Sequence, residues 1–190
     1  MKKIEIGAKT LLYPMPTVLV GANVDGKPNY LVVSYAGIVN HNPPMISVAL
    51  TKTHYTNIGI RENRTFSVNI PSVDMVRITD YCGLVSGHAV DKSELFETLY
   101  GALGSAPMIG ECPLSLECKL VHTLELPDND AFIGEIVAAY SEDKYLTNAL
   151  PDIKKVNPIV FSQNDSSYWR IGEHLARAFD IGKELKPRKL

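Results

Sequence analysis

Residues 16–50 read PTVLVGANVDGKPNYLVVSYAGIVNHNPPMISVAL. Three β-rich runs stand out, at 16–24, Tyr30–Val39 and Met45–Leu50. Asp25-Gly26, between the first two, is a pair that tolerates positive φ and so favours a tight hairpin. Pro43-Pro44 ends the second run, because proline cannot donate to a central ladder. The stretch therefore predicts an antiparallel β-meander, not a strand–helix–strand unit.

The pattern continues outward from there. Residues 51–63 predict a short helix with Thr51 or Thr53 as its cap. Thr65–Ile70 reads as a strand, and Pro71-Ser72 opens a second helix with Val73, Val76, Ile78 and Cys82 on its apolar side. Asp91-Lys92-Ser93-Glu94 resembles a capping box and predicts a helix through Leu95–Leu103. Leu114–Leu120 alternates with period two, which puts Leu114, Leu116, Cys118 and Leu120 on one face and Ser115, Glu117 and Lys119 on the other. His122–Leu126 extends that strand, and Ala131–Tyr140 and Val156–Ser162 predict two more. EHLARAF at 173–179 reads as helical. About seven strands in antiparallel order, with inserted helices, favour a small closed or half-open barrel, which leaves few free edges.

Composition narrows the class. The chain has 190 residues, 45% hydrophobic and 21% charged, which suits one globular domain over 1–190. No apolar run approaches the roughly 18 residues of a spanning helix. The opening Met1–Glu5 lacks a long apolar core behind its lysines, so no signal peptide is expected. A net charge of −2 argues against a general nucleic-acid binder. The basic stretch at 186–189 reads as a solvated end. Three cysteines, Cys82, Cys112 and Cys118, form no CxxC pair and predict neither a disulfide framework nor a zinc site. They fit a reducing cytoplasm. The five histidines show no metal-ligand spacing.

The dinucleotide GxGxxG fingerprint, the P-loop, HExxH and GxSxG are all absent. Two features carry candidate chemistry instead. Thr51, Lys52, Thr53, His54, Tyr55, Thr56 and Asn57 cluster at an expected helix start. Free amides there favour an anion, hydroxyls add donors and Lys52 adds charge. The strand end Ser34-Tyr35-Ala36-Gly37 is mostly small, so a flat ligand could approach the backbone closely. Read without a ligand, the first feature is a helix cap and the second an ordinary barrel strand.

A resemblance covers nearly the whole chain. It rests on YPMPTVLVGA at 13–22, DGKPN at 25–29, SYAG at 34–37, NPP at 42–44 and SVALTKTHYT at 47–56. It continues through FSVNIPS at 66–72, DYCGLVSG at 80–87, DK at 91–92, FIGEIV at 132–137 and YWRIG at 168–172. In order and spacing these pieces resemble the flavin reductase-like family of FMN-binding split barrels, flavoredoxin type. The resemblance implies a mainly β, six-stranded split barrel with short helices. It also implies a homodimer and non-covalent FMN near the dimer interface. Thr51, Lys52, Tyr55 and Thr56 would hold the phosphate and ribityl tail, with Asn57 a further candidate. Asn29 and Val32, Val33, Ser34, Tyr35 and Ala36 would line the isoalloxazine, and Lys92 would reach it from one side. Relatives often carry an aromatic residue where this chain has Ser93.

The implied function is a redox flavoprotein that needs no protein acid or base, because the cofactor carries the hard chemistry. It would be either an NAD(P)H:flavin oxidoreductase or an electron carrier serving a protein donor or acceptor. A non-catalytic flavin-binding, storage or sensing module is the alternative, and a plain structural barrel a third reading. No metal, nucleic-acid or membrane partner is expected.

Overall fold

The computed structural model describes residues 1–185; the basic stretch at 186–189 lies outside them. Its centre is one seven-stranded antiparallel sheet. The strands are β1 (Val18–Val24), β2 (Lys27–Val33), β3 (Ala36–Asn40), β4 (Met45–Thr51), β5 (Thr65–Ile70), β6 (Leu114–Glu125) and β7 (Asn129–Ser141). The spatial order is β2-β1-β5-β6-β7-β4-β3. The β1–β2 hairpin turns at Asp25-Gly26, both at positive φ.

The expected continuous strand over Tyr30–Val39 is in fact two. It breaks at Ser34-Tyr35, and its halves lie at opposite edges of the sheet. A two-residue step cannot span an open seven-stranded sheet, whose neighbours are about 4.8 Å apart. The sheet must curl until its edges meet. The Ala49 amide donates to the Tyr35 carbonyl at 2.8 Å across that seam. Counted as one bent strand, β2 and β3 make a six-stranded split barrel, as the resemblance implies.

The barrel interior holds Val20, Ala22, Leu31, Val33, Val48, Leu50, Phe66, Val68, Leu120 and Phe132. Gly134 makes room for Phe66: a Cβ there would sit 2.6 Å from the ring, beside a register shift in the β6–β7 ladder. A second apolar cluster, with Leu19, Tyr30, Cys82, Phe96, Ile109 and Cys112, packs on the outside of β1 and β2. Because both faces are covered, β1 is a continuous apolar run rather than an alternating one.

Helix α1 (Thr56–Asn63) and helix α2 (Val76–Leu84, after a short 3-10 turn at Val73–Met75) are present. Several expectations fail here. Neither Thr51 nor Thr53 caps α1; Tyr55 holds the cap position and makes no side-chain cap bond. Leu95–Leu103 is no helix. Asp91 instead accepts from the Ser93 amide at 2.9 Å, closing a local turn of the kind aspartate makes in place of a helix start. Thr98–Leu99 then pairs with Met108–Ile109. Residues 171–177 are irregular, and the exposed Leu175 and Phe179 leave no apolar contact to stabilise a short isolated helix.

The alternation in β6 is half right. Leu120 and Cys118 face inward, but Glu117 is fully buried as well. Its carboxylate accepts from the amides of Gly101 and Leu103 and from the Tyr140 hydroxyl. Loop 101–103 thus covers the face that period two assigns to solvent.

A smaller sheet flanks the barrel. Strand β8 (Ile159–Ser162) pairs with Met15–Pro16 on one side and with β9 (Ser167–Arg170) on the other.

Candidate functional site

Beside the barrel seam lies a cleft of about 380 Å³. One wall is the end of β2 and the corner after it: Val32, Val33, Ser34 and Tyr35. The floor comes from Ala49, Leu50 and Thr51 of β4. The far wall is the tip of the β8–β9 hairpin, with Phe161, Gln163 and Ser166. His54 and Asn129 also line it. The cleft lies where β2 crosses the seam, and among the described residues the tip of the hairpin covers its outer side.

The turn after β4 leaves several donors unpaired among the described residues. Amides of Lys52, His54, Asn57 and Ile58 donate to the carbonyls of Asp128, Thr51, His54 and Tyr55. Among the described residues, the amides of Thr53, Tyr55 and Thr56 have no protein acceptor. Thr51, Lys52 and Thr53 are exposed. Since neither threonine serves as a cap, both hydroxyls remain available. Asn57 is buried and steadies the turn by donating to the Thr51 carbonyl at 3.1 Å.

His54 Nδ1 is buried without a hydrogen-bond partner among the described residues. An unpaired buried polar atom costs about 1–3 kcal/mol, and the residue that carries it also lines the cleft. Burial first, and the positive charge of Lys92 second, push the imidazole pKa below its usual value. Neutral imidazole, free amides, hydroxyls and one exposed ammonium beside an apolar wall fit a flat heterocycle that carries a phosphate.

The remaining sequence-derived candidates fall elsewhere. Asn29, Tyr55 and Lys92 line a second cleft of about 340 Å³, on the other side of the His54–Tyr55 turn. There the Tyr55 hydroxyl donates to Asp25 at 2.9 Å. Lys92 is buried, and its ammonium donates to the carbonyls of Tyr30 and Cys82 at 2.9 and 2.8 Å. Burial lowers its pKa, and it pushes that of the neighbouring Cys82 thiol up to about 11. Thr56 is buried and accepts from Asn29. Ala36 is half-buried and packs on the barrel core. So the structure gathers Val32, Val33, Ser34, Tyr35 and Thr51 in one cleft, places Lys52 on the adjoining turn, and turns Asn29, Thr56 and Lys92 inward.

Sequence reasoning missed Asn129, Phe161, Gln163 and Ser166. They lie more than 70 residues from the Thr51–Thr56 turn and carry no local signal. His54 lay inside the polar cluster but looked like any lone histidine.

The model of the flavin reductase like domain matches residues 10–166, which spans every wall of the first cleft. The chain belongs to the flavin reductase-like family. Among solved structures, this family member is similar to flavoredoxin from Methanosarcina acetivorans. The two are 53% identical with a TM-score of 0.96, over 98% of this chain and all of that one. Flavoredoxin of Desulfovibrio vulgaris (Miyazaki F) is 41% identical with a TM-score of 0.88, over 96% of this chain and all of that one. An uncharacterised protein from Archaeoglobus fulgidus is 31% identical over 75% of this chain and 80% of its own length. These likenesses bear out the flavin reductase-like split barrel and a redox flavoprotein of the flavoredoxin type, with FMN as the expected cofactor. No described helix is long and apolar enough to cross a membrane.

Proposed function

We propose that this chain binds FMN in the seam cleft and moves electrons through it, with residues 1–190 acting as one functional unit. The observation that carries this is the placement of a turn with three amides unpaired among the described residues, those of Thr53, Tyr55 and Thr56, beside a cleft lined by Thr51 and His54. Lys52, the hydroxyls of Thr51 and Thr53 and the amides of Thr53, Tyr55 and Thr56 take the phosphate. The backbone of Val32–Tyr35 and the side chain of His54 would hold the ring. Asn29, Thr56, Asn57 and Lys92 hold these elements in place from inside.

When bound, the flavin supplies the hydride and single-electron chemistry. The protein's part is to bind, orient and shield. The half-buried side chains of Val32 and Phe161 exclude water from the ring's surroundings. His54, kept neutral at pH 7, gives a directional hydrogen bond without adding charge.

The acting form in this reading is a homodimer. Ile38 and Val39 on edge strand β3, together with Trp169, Leu175 and Phe179, are exposed apolar groups on one chain, and a second copy would cover them. The donor is NAD(P)H or a redox protein. Three free, buried cysteines support a cytoplasmic setting.

Titration of the flavin-free protein with FMN, followed by flavin fluorescence and absorbance near ~450 nm, is the test. Saturable quenching at one site per chain supports the reading; a colourless protein that ignores FMN ends it. Anaerobic mixing with NADH and NADPH then separates a reductase from an electron carrier. Bound flavin that no donor or acceptor can reduce or reoxidise would mark a storage or sensing module.

A further inference from the structure

The seam cleft is bridged at its mouth by two residues 128 positions apart. The Tyr35 hydroxyl donates to Gln163 Oε1 at 3.2 Å and accepts from Gln163 Nε2 at 2.9 Å. Tyr35 belongs to the barrel corner, where its carbonyl is fixed by the Ala49 amide. Gln163 belongs to the tip of the β8–β9 hairpin.

That hairpin is held unevenly. Its strands are anchored along their whole length: β8 pairs with Met15–Pro16 as far as Phe161, the Thr17 amide donates to the Ile159 carbonyl, Tyr168 donates to Asp80 at 2.9 Å, and Pro158 bridges to Ser72. Its tip, residues 162–167, is built from its own contacts: Ser162 to Asp165, Ser167 to the Asp165 carbonyl, and Ser166 at φ 51°. Among the described residues, the Tyr35–Gln163 pair is the only hydrogen bond from this tip to the barrel. The tip also carries Gln163 and Ser166 of the far wall.

We infer that the Tyr35–Gln163 pair is a latch on the hairpin, and that it sets how long FMN stays bound. The inference rests on the seam cleft being the flavin site. A six-residue tip, 162–167, held at both ends and tied once to the barrel can lift without disturbing the strands below it. With the tie made, the tip walls one side of the cleft and slows the passage of a ring on that side. With the tie cut, the chain passes from keeping its flavin as a resident cofactor toward exchanging it as a substrate. A neutral, exposed hydrogen-bonded pair is a modest restraint. Its loss should change exchange several-fold rather than by orders of magnitude.

The test reads FMN exchange directly. FMN association is followed by stopped-flow quenching of its fluorescence, and release by displacement with excess riboflavin phosphate analogue lacking fluorescence. For Gln163→Ala, a latch predicts that release and association accelerate together, each about threefold to tenfold. Tyr35→Phe, which keeps the ring and removes the hydroxyl, should reproduce the pattern, and the double variant should add nothing to either single one. Faster release with unchanged association would mean that Gln163 merely touches the flavin, and that overturns the latch. Additive effects or unchanged rates overturn it too. Absence of FMN binding by the wild-type protein would fail the flavin reading itself, a result distinct from binding with unaltered rates.

Discussion

Asn29 donates its side-chain amide to the Thr56 hydroxyl at 2.8 Å, with both residues buried. The bond ties the β1–β2 hairpin to the first residue of α1, and so fixes the anion turn that α1 continues. Thr56→Val keeps the shape and removes the acceptor. It should cost about 1–3 kcal/mol, because the Asn29 amide is left buried and unpaired. Urea denaturation of the flavin-free protein measures this; an unchanged midpoint would show that water replaces the hydroxyl.

Lys92 separates a structural role from a cofactor role. Its ammonium serves two backbone carbonyls, and hydrogen bonds to charged groups are worth about 1.5–3 kcal/mol each. Lys92→Met should therefore destabilise the flavin-free protein by several kcal/mol. A variant that melts like the wild type but loses FMN affinity would place the ammonium on the flavin instead.

Lys52 is the opposite case. It is exposed and takes no part in the ion pairs among the described residues. Lys52→Ala should leave the unfolding midpoint unaltered. It should weaken FMN binding about tenfold to a hundredfold, the equivalent of losing one charge-assisted contact, and should flatten the salt dependence of binding. Equal affinity at low salt would remove Lys52 from the phosphate site.

His54 makes stability depend on pH in a known direction. Its folded pKa lies below the model value of 6.5, so between the two values the unfolded chain holds more protons. Stability from this group is complete above pH ~6.5 and is lost as pH falls through the folded pKa. His54→Gln should reduce the acid-side slope of the stability curve. The comparison is by thermal melts between pH ~5 and ~8; parallel curves for the two proteins would place the acid loss elsewhere.

Much of the barrel was legible because its signals are local. Asp25-Gly26 demands its hairpin whatever surrounds it, and Thr65–Ile70 and Ala131–Tyr140 are strands in both readings. The break at Ser34-Tyr35 was not legible. Both halves are apolar and β-prone, and only barrel closure separates them. Glu117 misled for a related reason: a carboxylate at a solvent-phase position says nothing about a loop that arrives from residues 101–103 to bond it. The turn at Thr51–Thr56 was expected to carry a threonine cap and does not, because threonine has the same donors for a cap or for a ligand. The hairpin wall was invisible, since Phe161, Gln163 and Ser166 meet Tyr35 only through tertiary contact.

The corner at Ser34-Tyr35 has a consequence for how such a chain tolerates change. One inserted residue there would invert which side chains of Ala36–Asn40 face the interior, and would also pull Tyr35 off the hairpin it meets. Closure of the cylinder and, if the seam cleft takes the flavin, custody of the cofactor would depend on the same two positions, so drift at this joint would be judged twice, first by the barrel and then by its guest.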